Sequence, residues 1–291
     1  MKSGLAAMRP CGWFMLLVAL PAALAGCGEQ AARLDRMEGI DPRFAADAAR
    51  LRADPVACLR DLVERAESLR QYRLRFYRQE RLGLPAVLGP MEDIQARFRA
   101  EPFSVKFDWR DERMPYYESV YNAAGDGGML IVRERKGALP FLPPMVRSMD
   151  PEFPVKIGRA KNPITEFGLA RLARRTLLPF EDPQLAGVMT IAYQGIVLLD
   201  PTGRPAHYLL IQRPRTPGYA YTRQDFYIDA ETMLPAGTDL YLPDGQLDAR
   251  YRYAEIDTAV TFTDDDFRLS TRHPAPAQAA ASAPAGGKTG G

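Results

Sequence analysis

The stretch "EPFSVKFDW" (101–109) alternates apolar and polar residues: Phe103, Val105, Phe107 and Trp109 against Ser104, Lys106 and Asp108. Successive side chains of a β-strand point to opposite faces, so a half-buried strand is expected here. The period continues outward from it. Tyr72, Leu74 and Phe76 alternate with Arg73 and Arg75, and 91–100 reads as a strand after the breakers Gly83, Pro85, Gly89 and Pro90. Residues 116–122 and 129–135 read as a hairpin around Gly125-Asp126-Gly127-Gly128. Later strands are expected at 188–199, 207–212, 219–228, 238–242 and 251–256, with Asp244-Gly245 as the hairpin turn between the last two.

Helical spacing is rarer. Asp41-Pro42 opens a brief helix, and Asp54-Pro55, an N-cap followed by proline, opens a second that ends near residue 71. Cys58, Leu59, Leu62, Val63, Ala66 and Leu69 share its apolar face, which makes Cys58 a small structural hydrophobe. Asn162-Pro163 caps a third helix to about residue 178, with Leu169, Leu172, Ala173 and Leu177 inward and Arg171, Arg174 and Arg175 outward. Helices, strands, one helix, strands: consecutive hairpins with few helices to cover them give an α+β fold, a curved antiparallel sheet with helices on its concave side. One domain is expected over 42–270, and the Pro/Ala/Ser/Gly tail 271–291 lacks the apolar content for a core.

The first 26 residues read as an export signal. Lys2 and Arg9 flank an apolar run at 13–20 that Pro21 breaks, too short for a span of roughly 20 residues. It ends Leu24-Ala25-Gly26-Cys27, which resembles the lipobox of bacterial lipoproteins, and implies cleavage before Cys27, acylation of that cysteine and a polar tether over 27–41. Gly28 after the cysteine favours the outer membrane, facing the periplasm. Without Lys2 and Arg9, the 38 basic residues fall to 36, equal to the 36 acids. That balance excludes a broad nucleic-acid footprint. Two histidines and three cysteines are too few for a zinc cluster or a disulfide framework, so no metal and no cofactor is expected.

Candidate sites follow from the pattern. Phe103, Val105, Phe107 and Trp109 either line an apolar cavity or pack as ordinary core; one strand does not distinguish the two. Residues 137–162 lose all periodicity. Leu139, Phe141, Leu142 and Met145 there, among prolines, read as a lid, a contact patch, or a loop strapped to the core. Glu166 falls on the inward row of the third helix, as a partly buried acid or a first-turn carboxylate favoured by the helix dipole. His207 reads as a satisfied or edge-strand histidine, since no G-x-S-x-G elbow accompanies it. Asp264, Asp265 and Asp266 lack calcium-loop spacing and read as a solvated turn.

Four segments, "YRLRFYRQER" (72–81), "EPFSVKFDW" (101–109), "NPITEFGL" (162–169) and "LYLPDGQLDARYRYAEI" (240–256), resemble a bacterial family numbered 1571 among the domains of unknown function. With "TDDDF" (263–267) the layout is also distantly similar to the lipoprotein carriers LolA and LolB. That resemblance implies an unclosed half-barrel with a helical lid, holding acyl chains in an apolar cavity. It singles out Pro163, Thr165, Glu166 and Gly168 on the motif helix. The expected function is a non-enzymatic, lipid-anchored envelope protein that binds a lipid or acylated ligand. A tethered chain suits an acceptor or sensor better than a shuttle. The alternative is an envelope interaction module without a cavity, its protein partner unidentified; a hydrolase using Glu166 stands third.

Overall fold

The alternation at 101–109 becomes a strand at Ser104–Trp109, and its neighbours extend it into one large sheet. The computed structural model describes residues 35–36, 41–135, 145–185, 187–215 and 220–271. Cys27, the tether apart from residues 35–36 and 41, most of the tail, and Leu139, Phe141 and Leu142 lie outside them. The strands are β1 (Asp35–Arg36), β2 (Gln71–Leu82), β3 (Val87–Leu88), β4 (Glu92–Arg99), β5 (Ser104–Trp109), β6 (Tyr116–Asn122) and β7 (Leu130–Glu134). They continue with β8 (Val146–Met149), β9 (Thr190–Leu199), β10 (Arg204–Gln212), β11 (Arg223–Asp229), β12 (Pro235–Tyr241) and β13 (Leu247–Asp257). Helices are α1 (Ala45–Ala53), α2 (Pro55–Glu67), α3 (Phe153–Lys156) and α4 (Leu169–Glu181).

The sheet order is β1-β9-β10-β11-β12-β13-β2-β4-β5-β6-β7-β8, with β3 off this path on β2. Every pairing is antiparallel, and among the described residues the end strands β1 and β8 do not meet, so the sheet is not closed. Register fixes its faces. Phe76 lies opposite Ile94 and Tyr253, and Ile94 opposite Trp109; Ala96 lies opposite Leu74 and Phe107. These apolar residues therefore share one face.

Helices α2 and α4 cover that face. Leu59, Leu62 and Val63 of α2 and Ala173 and Leu177 of α4 pack with Leu209, Ile211, Phe226 and Ile228. Leu169 joins a second cluster around Tyr72, Leu74, Phe76 and Phe107. Asp54 accepts from the Ala57 N–H at 2.9 Å with Pro55 behind it, so α2 starts where its cap signal stands. Cys58 is buried and free on this helix, and burial raises its thiol pKa.

The opposite face carries charge. Arg252 and Asp239, 1% and 2% exposed, form a two-pronged ion pair at 2.6 and 3.0 Å. Arg250 adds a bond to Asp239 at 3.1 Å, and the Arg252 guanidinium lies 4.8 Å from the Tyr227 ring centre. Gly237 is the cross-strand partner of Arg252, and a Cβ there would collide with the Tyr251 carbonyl. Further along, Lys106 pairs with Glu118 at 2.9 Å, and the returning chain closes over them: Ser270 donates its N–H and hydroxyl to Glu118. Asp264–Phe267 is a 3-10 turn held by a reciprocal Thr263–Asp266 cap, with Asp264 paired to Arg99 at 2.8 Å. The three aspartates thus form a turn.

Several elements depart from expectation. Residues 164–166 form a 3-10 turn, and the helix begins only at Leu169 because Gly168 takes φ +137°. The helix then passes through Pro179 to Glu181. The second helix stops at Glu67 because β2 claims the chain from Gln71. The segment read as aperiodic holds β8 and α3. His207 sits on β10, inside the sheet between β9 and β11, fully buried. Its Nδ1 meets the Tyr193 hydroxyl at 3.0 Å while Nε2 has no partner among the described residues, so it is neither on an edge nor fully satisfied there.

Candidate functional site

Between the apolar sheet face and the chain from α3 to α4 lies a cavity of about 760 Å³. That size falls within the roughly 300–1,000 Å³ of small-molecule sites. Its floor is aromatic because the register stacks alternate residues of four strands. Phe76 of β2 lies 5.1 Å from Tyr253 of β13 and 5.9 Å from Phe107 of β5, ring centre to ring centre. Trp109 and Tyr116 continue the floor at 5.5 Å. Leu130, Val132 and Met149 extend it toward the sheet edge. Phe167 projects from the roof, 4.9 Å from Phe107 and 5.2 Å from Phe76, nearly edge-on to Phe107.

The backbone that holds Phe167 depends on Gly168. The Leu169 N–H, the first of α4, donates to the buried Tyr72 hydroxyl at 2.9 Å. A side chain at 168 would press within 3.1 Å of the Phe98 ring, itself stacked on Tyr72 at 4.7 Å. The roof is completed by Ile164, by Leu172, and by Phe153 and Ile157, of which the last two are half exposed at 43% and 49%.

Polar groups gather at the margins. The Tyr251 hydroxyl donates to Glu80 Oε1 at 2.5 Å, and the Lys161 N–H reaches the other Glu80 oxygen at 3.3 Å. Asn162 Nδ2 donates to Tyr251 at 3.2 Å, and Arg175 Nη1 donates to Asn162 Oδ1 at 2.7 Å. Burial, reinforced by the Glu80 charge, raises the Tyr251 pKa well above that of a free phenol, so it stays a donor. Elsewhere Arg147 pairs with Glu134 at 2.6 Å and Arg78 with Glu92 at 2.8 Å. The Trp109 indole N–H is fixed by Glu92 at 2.7 Å, which sets the ring's orientation on the floor. Arg159 Nη1 donates to the Tyr116 hydroxyl at 3.3 Å. Among the described residues no group of three or more His, Cys, Asp or Glu could hold a metal ion.

The residues singled out by sequence divide. Phe107 and Trp109 line the cavity; Phe103 and Val105 do not. Val105 is fully buried opposite Phe98 and Tyr121, and Phe103 precedes β5 and packs edge-on against both rings. Pro163, Glu166 and Gly168 border the cavity, while Thr165 does not. Glu166 lies on the 3-10 turn, paired with Arg171 at 3.3 Å, because the helix row that was to turn it inward starts after it. Met145 is 46% exposed and away from the lining. Of the arginines read as outward, Arg174 pairs with Glu67 at 2.6 Å but Arg175 borders the cavity. Sequence reasoning passed over Phe76, Phe167, Tyr251 and Tyr253 as site residues. The period-two aromatics of 72–76 and 251–253 were the available signal for three of them.

A family described as "Protein of unknown function (DUF1571)" matches residues 69–275. No curated protein matches the sequence. Among solved structures the chain is similar to MucB, with 17% identity over 78% of this chain and 64% of that one, at a TM-score of 0.41. It is similar to the Mycobacterium tuberculosis lipoprotein LppX, with 11% identity over 72% and 98% of the two chains, at a TM-score of 0.36. A LolA superfamily protein of Nitrosomonas europaea is 7% identical over 73% of this chain and 96% of its own, at a TM-score of 0.24. The chain spans less than two thirds of MucB's length.

Proposed function

We propose that this chain, which belongs to the DUF1571 family, is a non-enzymatic cell-envelope protein that holds a lipid or acyl chain in its half-open sheet. The observation that carries the reading is the cavity of about 760 Å³ with its floor of Phe76, Phe107, Trp109 and Tyr253. An alkyl chain laid across such rings leaves water at about 0.8 kcal/mol per methylene, and only part survives as affinity after the chain loses its freedom. Acylation at Cys27, in the "LAGC" sequence, would tether the protein to a membrane, here the outer membrane from its periplasmic side. The tether keeps the cavity within reach of lipid, which suits acceptance or sensing of an acylated ligand. A second reading, an interaction module, is favoured by β8, an edge strand whose Val146 is 53% exposed.

The test is organic extraction of the full chain carrying Cys27→Ser, expressed in a bacterial host and purified without detergent. About one amphiphile per chain is expected, and Ser119→Trp, which fills the cavity from a buried wall position, should reduce that yield several-fold. Recovery of no amphiphile, with none taken up when fatty acid is offered, withdraws the reading.

A further inference from the structure

Four arginines line the cavity: Arg78, Arg147, Arg159 and Arg175. Arg78 and Arg147 are neutralised by Glu92 and Glu134 at 2.8 and 2.6 Å. Of the lining's acids, Glu166 pairs with Arg171, and Glu80, which accepts from the Tyr251 hydroxyl and the Lys161 N–H, acts with Glu92 on the Arg78 charge. Arg159 and Arg175 differ. Among the described residues their side chains bond only neutral oxygens, the Tyr116 hydroxyl and Asn162 Oδ1. Both are exposed, and both lie on the 159–175 stretch that roofs the apolar floor. A guanidinium stays charged at every working pH and offers paired donors matched to carboxylate and phosphate oxygens.

From this charge imbalance we infer that the cavity's ligand is an anionic amphiphile, whose carboxylate or phosphate headgroup meets Arg159 and Arg175 at the margin while its chain lies over Phe76, Phe107 and Trp109. The inference rests on the lipid-cavity reading and narrows it to a headgroup class. Arg78 and Arg147 keep their own carboxylates and orient the floor and edge; Arg159 and Arg175 supply the recognition.

The experiment loads the full chain, carrying Cys27→Ser, with the neutral dye 1-aminoanthracene and displaces it with dodecanoate, dodecyl phosphate or dodecanol. Charge-assisted hydrogen bonds should make the two anions effective at concentrations about tenfold or more below dodecanol. In the double variant Arg159→Gln, Arg175→Gln the gap should narrow to about twofold while dodecanol displacement is unchanged, which doubles as the check on folding. Arg159→Lys and Arg175→Lys should keep most of the preference. Inorganic phosphate alone, lacking a chain, should leave the dye in place. Equal displacement by dodecanol and dodecanoate overturns the anionic class while leaving the cavity reading standing. A preference that survives the double variant overturns the assignment to these arginines, and displacement by inorganic phosphate overturns the amphiphile. Failure of dye and all three amphiphiles to bind refutes the cavity reading and this inference with it.

Discussion

The Asp239 carboxylate shows how this sheet tolerates charge in its interior. Burial on its own lifts its pKa, yet Arg252 and Arg250 outweigh that and hold it below the ordinary carboxylate range. A group with a lowered native pKa contributes stability that is fully present above its unfolded value, about 3.9 for Asp, and is lost as pH falls through the native value. Asp229, held by Arg204, and Glu118, held by Ser270 and Lys106, act in the same direction against their burial. Asp225 and Asp108, raised by burial, oppose them. Asp239→Asn leaves the Arg252 charge buried without its partner, so urea unfolding at pH 7 should show a loss of about 3–5 kcal/mol. The difference from the parent should begin to shrink below about pH 4, where the unfolded parent's Asp239 takes up its proton, and go on shrinking as pH falls through the lowered native value. A loss equally large at pH 3 and pH 7 would show that the ion pair is not its source.

At the scale of elements, the junction before α4 positions the cavity roof. Gly168→Ala forces a side chain into φ +137° and against the Phe98 ring and Tyr72 hydroxyl, 3.1 and 3.3 Å away. A loss of about 1–3 kcal/mol in urea unfolding is expected from the strained backbone, together with weaker amphiphile uptake as Phe167 shifts. An unchanged midpoint would mean that the turn relaxes freely. The same junction marks where sequence reading reached its limit. Asn162-Pro163 looks like a cap, yet Gly168 lets Tyr72, far away in the chain, take the first helical N–H, and local pattern carries no trace of that bond. The turn residues Gly125-Asp126-Gly127-Gly128 located β6 at its full extent, and Asp244-Gly245 placed the β12–β13 hairpin, because both signals are local. Val146–Met149 is too short to show a period and becomes a strand only by pairing with β7. On β5 the alternation gave the face but not the cavity. Val105 on that face is buried between Phe98 and Tyr121, its partners on β4 and β6, and the alternation of one strand shows neither.

For the whole molecule, an open antiparallel sheet with few helices was legible from hairpin order and sparse helical spacing, and the sheet is open and antiparallel. The cavity was not, since it is the space that α3, the 164–168 turn and α4 leave between themselves and the sheet. Its occupancy decides the function, and the protein carries its own reporter. The chain has two tryptophans, Trp13 in the expected signal segment and Trp109 on the cavity floor. The decisive measurement is Trp109 emission from the full chain carrying Trp13→Phe and Cys27→Ser, titrated with stearate dibrominated at mid-chain, whose bromines quench only at contact. Saturable quenching is expected, reaching its plateau near one fatty acid per chain and relieved by unbrominated stearate. Emission that stays constant, or falls linearly without saturation and without relief, would contradict it.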